Sequence, residues 1–396
     1  MRKKNLYFLF IIFIGWSCSR TDPEPVSDNK YLVSLEPIDY LAVWQVQLAL
    51  GFLDFEEFSS YIKTDAQIYK MVYNTTYNGT PIQASGIIGI PIENDVPLPI
   101  ISVYHGTLVK HDDAPSIAYD DYLLLTALAT TGAISIVPDF SGFGSSTNVL
   151  HPYFVEEGEA VPAVDMILAT RELMEDSAMV WNNKLLLTGY SEGGYVTLAT
   201  HKYIQEHKEL DLVVTASAAG SGAYDQVHMK NYFIGLEEYH QPFFLAYAIY
   251  ANQKYNDVNE SLELFFQQPY ADKIPSLFDG SKGSEEINDQ LTTNIASLLQ
   301  QEFLENSETN PVYARFQSQI KDNSLTNWIP LAPIRLYHGS ADITVPVENS
   351  ETTLEQLLAK GAQEELTLTL LEGETHTSAF IPMFREVALW FMELKD

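Results

Sequence analysis

Short apolar runs alternate along most of this chain with longer stretches in which apolar residues recur at helical spacing. The runs predict strands at residues 100–104, 133–138, 185–190, 212–218, 334–337 and 366–371. The intervening stretches predict helices at residues 119–131, 159–174, 195–207, 348–360 and 378–394. Strands that are apolar on both sides are typical of a parallel sheet covered by helices on two faces. The pattern therefore predicts an α/β fold with a mostly parallel central sheet.

The first part of the chain departs from this alternation. Residues 31–63 carry leucine and aromatic side chains at near-helical spacing, which predicts one or two helices over a sheet edge or over the mouth of a site. Plain core packing is the competing interpretation of the same residues. Residues 69–77 and 84–92 flank Asn78-Gly79, a pair typical of tight hairpin turns. These two segments predict an antiparallel pair of strands.

A second departure separates the predicted strands at 212–218 and 334–337. Residues 222–330 are helical in character and rich in aromatic side chains. This segment predicts a helical cap inserted into a core formed by residues 31–221 and 331–396. Most of the aromatic side chains are expected to pack the cap against itself, with a minority facing a substrate.

The N-terminus has the features of an export signal. A basic start, a short apolar run and small residues before a cysteine follow one another: Arg2 to Lys4, residues 6–14, and Gly15 to Cys18. This arrangement resembles a bacterial lipoprotein signal. The resemblance implies a signal peptide over residues 1–17, lipid attachment to Cys18 and a flexible tether over residues 18–30. A secretory signal without lipidation is the main alternative, and an uncleaved anchor is disfavoured because the apolar run is short.

Charge and cysteine content narrow the classes of function. The 396 residues include 22 Lys and Arg against 53 Asp and Glu, a formal net charge of −31. Such a surface repels phosphate backbones, so nucleic acid is not an expected partner. Cys18 is the only cysteine in the sequence. The folded domain is therefore expected to contain neither an intrachain disulfide nor a thiolate metal site.

The segment Gly189-Tyr190-Ser191-Glu192-Gly193 carries the most specific chemical signal. It lies between a predicted strand and a predicted helix, which is the context that a G-x-S-x-G nucleophile elbow requires. Glycine suits the sharp turn because the helix and strand approach too closely for a side chain at Gly189 or Gly193. Ser191 is the candidate nucleophile. A glycine-rich turn with an incidental serine is the competing interpretation.

A serine nucleophile needs a base within hydrogen-bond reach and an acid that orients the base. His376 follows the last predicted strand, and Asp342 follows the strand before it. The order Ser191, Asp342, His376 places each of the three residues after a strand of its own. Asp225 is the competing acid, and His338 is a weaker candidate for the base because it more plausibly orders its own loop.

Ester cleavage also needs N–H donors directed at the oxygen that becomes negative. The backbone N–H of Glu192 is one candidate, because it directly follows the nucleophile. The second is the backbone N–H of Thr107, with Leu108 as its neighbour, in the loop after the strand at 100–104. The carboxylate of Glu192 would oppose a nearby oxyanion, so this side chain is expected to turn away, toward His111 or a cap residue.

Four motifs together resemble the α/β-hydrolase superfamily and are similar to secretory lipases and related esterases. They are Tyr104-His105-Gly106-Thr107, Pro138-Asp139-Phe140-Ser141-Gly142-Phe143-Gly144, Gly189-Tyr190-Ser191-Glu192-Gly193-Gly194 and Thr375-His376. The resemblance extends from about Tyr69 to the end of the chain, apart from the cap. It implies an α/β-hydrolase fold and serine hydrolysis of carboxylic esters through an acyl-enzyme, without a metal or organic cofactor.

The sequence therefore favours an esterase or lipase, lipid-anchored in a bacterial cell envelope, that acts on a small-molecule or lipid ester. A peptidase of the prolyl-oligopeptidase type is the first alternative, although no β-propeller repeat is evident in the sequence. A non-catalytic surface binding protein that has kept the hydrolase fold is the second.

Overall fold

The computed structural model describes residues 29–93, 95–257, 260–362 and 365–396. Within them one sheet holds the strands in the order β1-β2-β3-β5-β4-β6-β7-β8-β9. The strands are β1 (Leu32–Leu41), β2 (Ala66–Tyr77), β3 (Thr80–Pro91), β4 (Leu98–Tyr104), β5 (Ile134–Pro138), β6 (Trp181–Tyr190), β7 (Ala216–Gly220), β8 (Ile334–Gly339) and β9 (Leu366–Leu371). Strands β4 to β9 pair in parallel, whereas β1, β2 and β3 pair antiparallel. The predicted α/β class with a mostly parallel sheet is confirmed.

Helices cover both faces of the sheet and fill the segment between β7 and β8. They are α1 (Val43–Phe52), α2 (Leu123–Thr126), α3 (Glu156–Asp176), α4 (Glu192–Glu206), α5 (Gln226–Ile234), α6 (Pro242–Tyr255), α7 (Tyr270–Leu277), α8 (Ser284–Asn288), α9 (Ile295–Leu298), α10 (Gln301–Asn306), α11 (Ala314–Asp322), α12 (Val347–Lys360) and α13 (Phe380–Leu394). None of the helices in the described ranges combines the length and apolar character needed to cross a bilayer.

The central strand β6 shows why the strands are apolar throughout. Leu185 and Leu187 are fully buried in the core that α3 covers. Leu186 points the other way, into the core that α13 covers. Because successive side chains of a strand point to opposite faces, a sheet packed on both faces favours apolar residues at consecutive positions.

The N-terminal region differs from its prediction. Residues 32–41 form the edge strand β1, which pairs with β2, and a helix is present only at α1 (Val43–Phe52), followed by a 3-10 turn at Glu56–Tyr61. The pairing of β1 is interrupted by register shifts at 32/34 and 37/39. Each irregularity breaks the two-residue periodicity that identifies a strand, which explains why the local pattern suggested a helix.

The hairpin prediction is confirmed. Strands β2 and β3 pair along their whole length, with Tyr77 opposite Thr80. Asn78 and Gly79 between them have φ of 46° and 73°. Two left-handed residues in succession give the turn whose twist matches that of the flanking strands.

The segment predicted as a cap consists of α5 to α11. Phe265, Phe303, Tyr313 and Phe316 pack around one another with ring centroids 5.1–5.9 Å apart. These four side chains are buried in one hydrophobic cluster together with other side chains of the same segment. The boundaries 222–330 stay a prediction.

Helix α13 provides a direct test of this core. Phe391 is fully buried against the sheet, so Phe391→Ala should lower the free energy of unfolding by about 3–5 kcal/mol through lost burial and a residual cavity. Glu393 lies exposed on the same helix, and Glu393→Ala should change that free energy by no more than about 0.5 kcal/mol. Urea denaturation followed by circular dichroism measures both variants, and equal effects would contradict the packing described.

Candidate active site

Ser191 occupies a sharp turn between β6 and α4. Its φ of 59° and ψ of −122° lie outside the regions that side-chain-bearing residues ordinarily adopt. A Cβ added to Gly189 would overlap the carbonyl group of Gly193, and one added to Gly193 would overlap the carbonyl of Tyr104. The Ser191 N–H donates to the carbonyl of Gly220 at 2.8 Å, which ties the turn to β7. The glycines thus permit the close approach that exposes the serine hydroxyl at the edge of the sheet.

The structure brings Ser191, His376 and Asp342 into one hydrogen-bonded chain. The Ser191 Oγ lies 2.9 Å from the Nε2 of His376, and the Nδ1 of His376 lies 2.6 Å from the Oδ2 of Asp342. All three residues lie at or just beyond the carboxyl ends of strands β6, β8 and β9. Because parallel strands end at the same edge, side chains distant in sequence converge there.

Asp342 is held in its charged form. Its Oδ1 accepts N–H bonds from Thr344 and Val345 at 2.9 and 3.0 Å. Burial alone would raise the pKa of this carboxyl, but hydrogen bonds from His338 and His376 outweigh that cost and lower it below the ordinary value of 3.8. A permanent carboxylate fixes the imidazole of His376 with Nδ1 protonated and Nε2 free to accept a proton.

Asp225 is engaged elsewhere, and His338 lies beside the acid, with its Nε2 3.4 Å from the Oδ2 of Asp342. Asp225 caps α5 by accepting the N–H of His228, and its other oxygen accepts from Gln356 at 2.9 Å. His338 is fully buried and hydrogen-bonds to Ser350 and to the carbonyl of Val345. His338 therefore orders the loop that carries Asp342, as the sequence suggested.

The predicted oxyanion donors flank the serine. A Cβ built on Gly106 would lie 3.8 Å from the Cβ of Ser191, so the loop after β4 passes directly beside the nucleophile. Thr107 follows in that loop, and its hydroxyl is held by Tyr153 at 2.9 Å. Glu192 begins α4, where N–H groups lack intrahelical partners. The role of the Glu192 and Thr107 N–H groups as oxyanion donors stays a prediction.

The side chain of Glu192 turns away from the substrate region, but not toward His111. It is fully buried, and its Oε1 lies 2.6 Å from the Nε2 of His151. The Nδ1 of His151 is directed at the carbonyl of Ser141 at 2.8 Å. The expected partner, His111 or a cap residue, was wrong because the actual partner lies 41 positions away in a loop without a regular pattern.

A second buried carboxyl, Glu159, adjoins this pair. It lies 3.8 Å from the Nε2 of His151 and accepts the N–H of Phe154 at 2.7 Å. Burial, and then the charge of Glu192, raise the pKa of Glu159 well above its ordinary value. The raised pKa favours the protonated form of Glu159, which limits the negative charge that the interior must hold behind the serine.

A metal ion is a second possible occupant of this place. In the described ranges, the ligand atoms of three side chains lie close enough together to share a cation: His151, Glu159 and Glu192. Ligands of a tetrahedral zinc ion lie about 3.3 Å apart, given bonds of about 2.0–2.1 Å. The 2.6 Å between His151 and Glu192 is shorter and is a hydrogen-bond distance. The arrangement therefore fits a shared proton better than a metal ion.

Tyr190 is a site residue that the sequence did not reveal. Its hydroxyl donates to the backbone carbonyl of His376 at 2.6 Å and also lies 2.9 Å from the Ser221 hydroxyl. It thereby fixes the loop that carries the imidazole. Tyr190 is the variable position of the G-x-S-x-G motif, and its partner lies 186 positions away, so no local signal identified it.

A cavity of about 500 Å³ opens above Ser191 and His376. Its walls are mainly apolar and include Leu125, Phe380 and Met383. A much smaller cavity of about 30 Å³ lies on the side of α5 and α6, where Phe233 and Tyr239 approach the serine. The larger cavity is the one with room for an organic substrate.

Comparison with known proteins supports an ester-cleaving activity. No protein-family profile matches the chain. A 51-residue segment is 45% identical to the isoprenylcysteine alpha-carbonyl methylesterase ICME of Arabidopsis thaliana, and this match covers 13% of the chain and 12% of that enzyme.

Solved structures match over nearly the whole chain. A putative hydrolase from Legionella pneumophila superposes with a TM-score of 0.83 at 27% identity, over 92% of this chain and 98% of that one. The rice cell wall degrading esterase LipA from Xanthomonas oryzae gives 0.80 at 25% identity, over 93% and 98%. Candida antarctica lipase A gives 0.67 at 15% identity, over 91% and 81%, and shares the fold.

The raised pKa of Glu159 predicts a specific pH dependence of stability. Between pH 4.5, the ordinary glutamate value, and the higher folded-state pKa, the unfolded chain loses this proton while the folded chain keeps it. The wild type should therefore lose up to about 1.4 kcal/mol of unfolding free energy per pH unit relative to Glu159→Gln in that window, and the two pH profiles should run parallel below pH 4.5.

Glu157→Gln is the matched control, because Glu157 is exposed in the first turn of the same helix and loses the same charge. Urea denaturation at pH 4 to 8 measures all three proteins. Parallel pH curves for the wild type and Glu159→Gln would disprove the assignment of a held proton to Glu159.

Proposed function

The chain belongs to the α/β-hydrolase superfamily, and on that premise we propose that it is a serine hydrolase that cleaves carboxylic esters through an acyl-enzyme intermediate. The contact chain from Ser191 through His376 to Asp342, at the floor of an apolar cavity, is the observation that carries the proposal. Similarity to esterases and lipases supports an ester as the substrate class.

The geometry allows each step of the reaction to be assigned. The Ser191 oxygen attacks the ester carbonyl carbon while the Nε2 of His376 takes the hydroxyl proton. The carbonyl oxygen becomes negative and receives N–H bonds from Glu192 and Thr107. Collapse of the intermediate breaks the bond to the alcohol oxygen, which takes the proton from His376 and leaves. A water molecule then attacks the acyl carbon while His376 takes its proton. The bond to the Ser191 oxygen breaks, that oxygen takes the proton from His376, and the carboxylic acid leaves.

Asp342 acts through His376. During both additions the imidazole becomes positively charged, and the carboxylate 2.6 Å from its Nδ1 stabilises that charge. The bonds from Thr344 and Val345 hold the carboxylate in place, so it does not have to reorganise as the charge develops.

Substitution of Ser191 and of each of the two candidate acids, Asp342 and Asp225, tests this assignment. Ser191→Ala and Asp342→Asn should each lower kcat for p-nitrophenyl butyrate by about 10⁴-fold or more, because nucleophilic attack or the correct histidine tautomer is lost. Asp225→Asn is the matched control and should retain wild-type kcat, since that carboxylate caps α5.

A fluorophosphonate probe provides an independent readout, because it should label the wild type on Ser191 and leave Ser191→Ala unlabelled. No labelling of the wild type would favour a non-catalytic binding protein. A higher kcat/KM on a panel of peptide amides than on p-nitrophenyl esters would favour the peptidase alternative instead.

We also propose that the protein is attached to a membrane of a bacterial cell envelope through a lipid on Cys18. The basic, apolar and small-residue order of residues 1–18 supports this proposal, although these residues lie outside the described part of the chain. The envelope location rests on the same segment.

Cys18→Ser tests the attachment. The wild type expressed in a lipoprotein-processing bacterium should partition into the detergent phase of Triton X-114, and the variant should move to the aqueous phase because it lacks the acylated thiol. Activity toward p-nitrophenyl butyrate serves as the control for folding. Partition of both proteins into the same phase would rule out lipidation at Cys18.

A further inference from the structure

A second large cavity lies beside the catalytic one, between α1 and the helical turns around α2. Its volume is about 450 Å³. Leu124 and Phe384 line both this cavity and the one above Ser191. The two cavities are therefore neighbours that share a wall of two apolar side chains. The second cavity is called here the α1 cavity.

The α1 cavity has an apolar character throughout. Among its described wall residues Gln45 is the polar one, and the Oε1 of Gln45 accepts the N–H of Ala42 at 2.9 Å instead of serving the cavity. Phe52 lines the cavity and is 82% exposed, so the cavity reaches the protein surface there. Trp44 and Leu48 lie on the same helix at intervals of four residues and are 65% and 56% exposed. Such a row of exposed apolar side chains beside an apolar cavity suits a hydrocarbon ligand.

The other direction from the serine is closed. The cavity toward α5 and α6 measures about 30 Å³, which is room for about one or two water molecules. A substrate chain longer than the catalytic cavity can hold therefore finds space on the side of Leu124 and Phe384. Both of these side chains are partly exposed, and each lines both cavities.

We propose that the α1 cavity receives the distal part of a long acyl chain whose carbonyl carbon lies at Ser191. This inference rests on the proposed ester hydrolysis and narrows it to long-chain fatty acyl esters. The acyl chain passes Leu124 and Phe384 and ends beneath α1, where each additional methylene group is buried away from water. The residues of α1 then determine which acyl chain lengths are preferred, although α1 is distant in sequence from the elements that carry the triad.

Filling the α1 cavity tests the proposal. Ala49 lines it from an exposed position on α1, so Ala49→Phe adds a ring to the cavity with little disturbance of the core. In the wild type, kcat/KM on p-nitrophenyl esters from acetate to palmitate should rise with chain length. In Ala49→Phe, the palmitate-to-acetate ratio of kcat/KM should fall by about tenfold or more, as expected from the loss of a few buried methylene groups.

Gln47→Phe is the matched control, since Gln47 is exposed on the same helix and does not line the cavity. It should keep the wild-type ratio. An unchanged ratio in Ala49→Phe, or an equal fall in both variants, would overturn the proposal, and would point to another occupant of the cavity such as a second copy of this chain.

A binding measurement separates this inference from the proposed function. Palmitate should bind to Ser191→Ala, as measured by calorimetry, and Ala49→Phe in the same background should weaken that binding by about tenfold. If no ester is cleaved but palmitate binding shows this dependence, the hydrolase proposal fails and the α1 cavity stands. If esters are cleaved but palmitate binding is absent or insensitive to Ala49→Phe, the α1 cavity assignment fails alone.

Discussion

The close approach of α4 to the central strands is the constraint on which the site depends. Added side-chain atoms at Gly189, Gly193 or Gly194 would overlap backbone carbonyl groups of neighbouring segments. This packing holds Ser191 in a strained conformation with positive φ, and the buried sheet around it offsets the cost of that strain. One arrangement therefore both exposes the serine hydroxyl and directs the first N–H groups of α4 at the adjoining space.

Behind this exposed edge, buried polar groups pair with the carboxylates that lie near Ser191. Glu192 follows the nucleophile, where a free carboxylate would oppose a developing oxyanion, and its pairing with His151 removes that carboxylate from the reacting region. Asp342 on the other side keeps its charge because Thr344, Val345 and His376 all donate to it. Two carboxylates near one serine thus have different partners: Glu192 turns inward to His151, and Asp342 is directed at His376.

Several features of the site could be predicted because they depend on local sequence or on chain order. A run such as Leu185 to Leu187 must be apolar on both sides to lie inside a covered sheet. Ser191, Asp342 and His376 were each identified by position after a strand, since parallel strands bring their carboxyl ends to one edge. The edge strand β1 was missed because its register shifts disrupt the two-residue pattern.

The sequence by itself determined the fold class, the glycine-bordered turn at Ser191 and the order of the residues expected to react, because periodicity and strand ends are local properties. Only the tertiary structure decided that Glu192 pairs with His151, that Tyr190 fixes the backbone at His376 and that α1 lines a cavity next to the one above Ser191. Each of these relations joins segments far apart in the chain. They follow from how the helices and loops pack against the sheet, and packing depends on the shapes of all the neighbouring side chains at once.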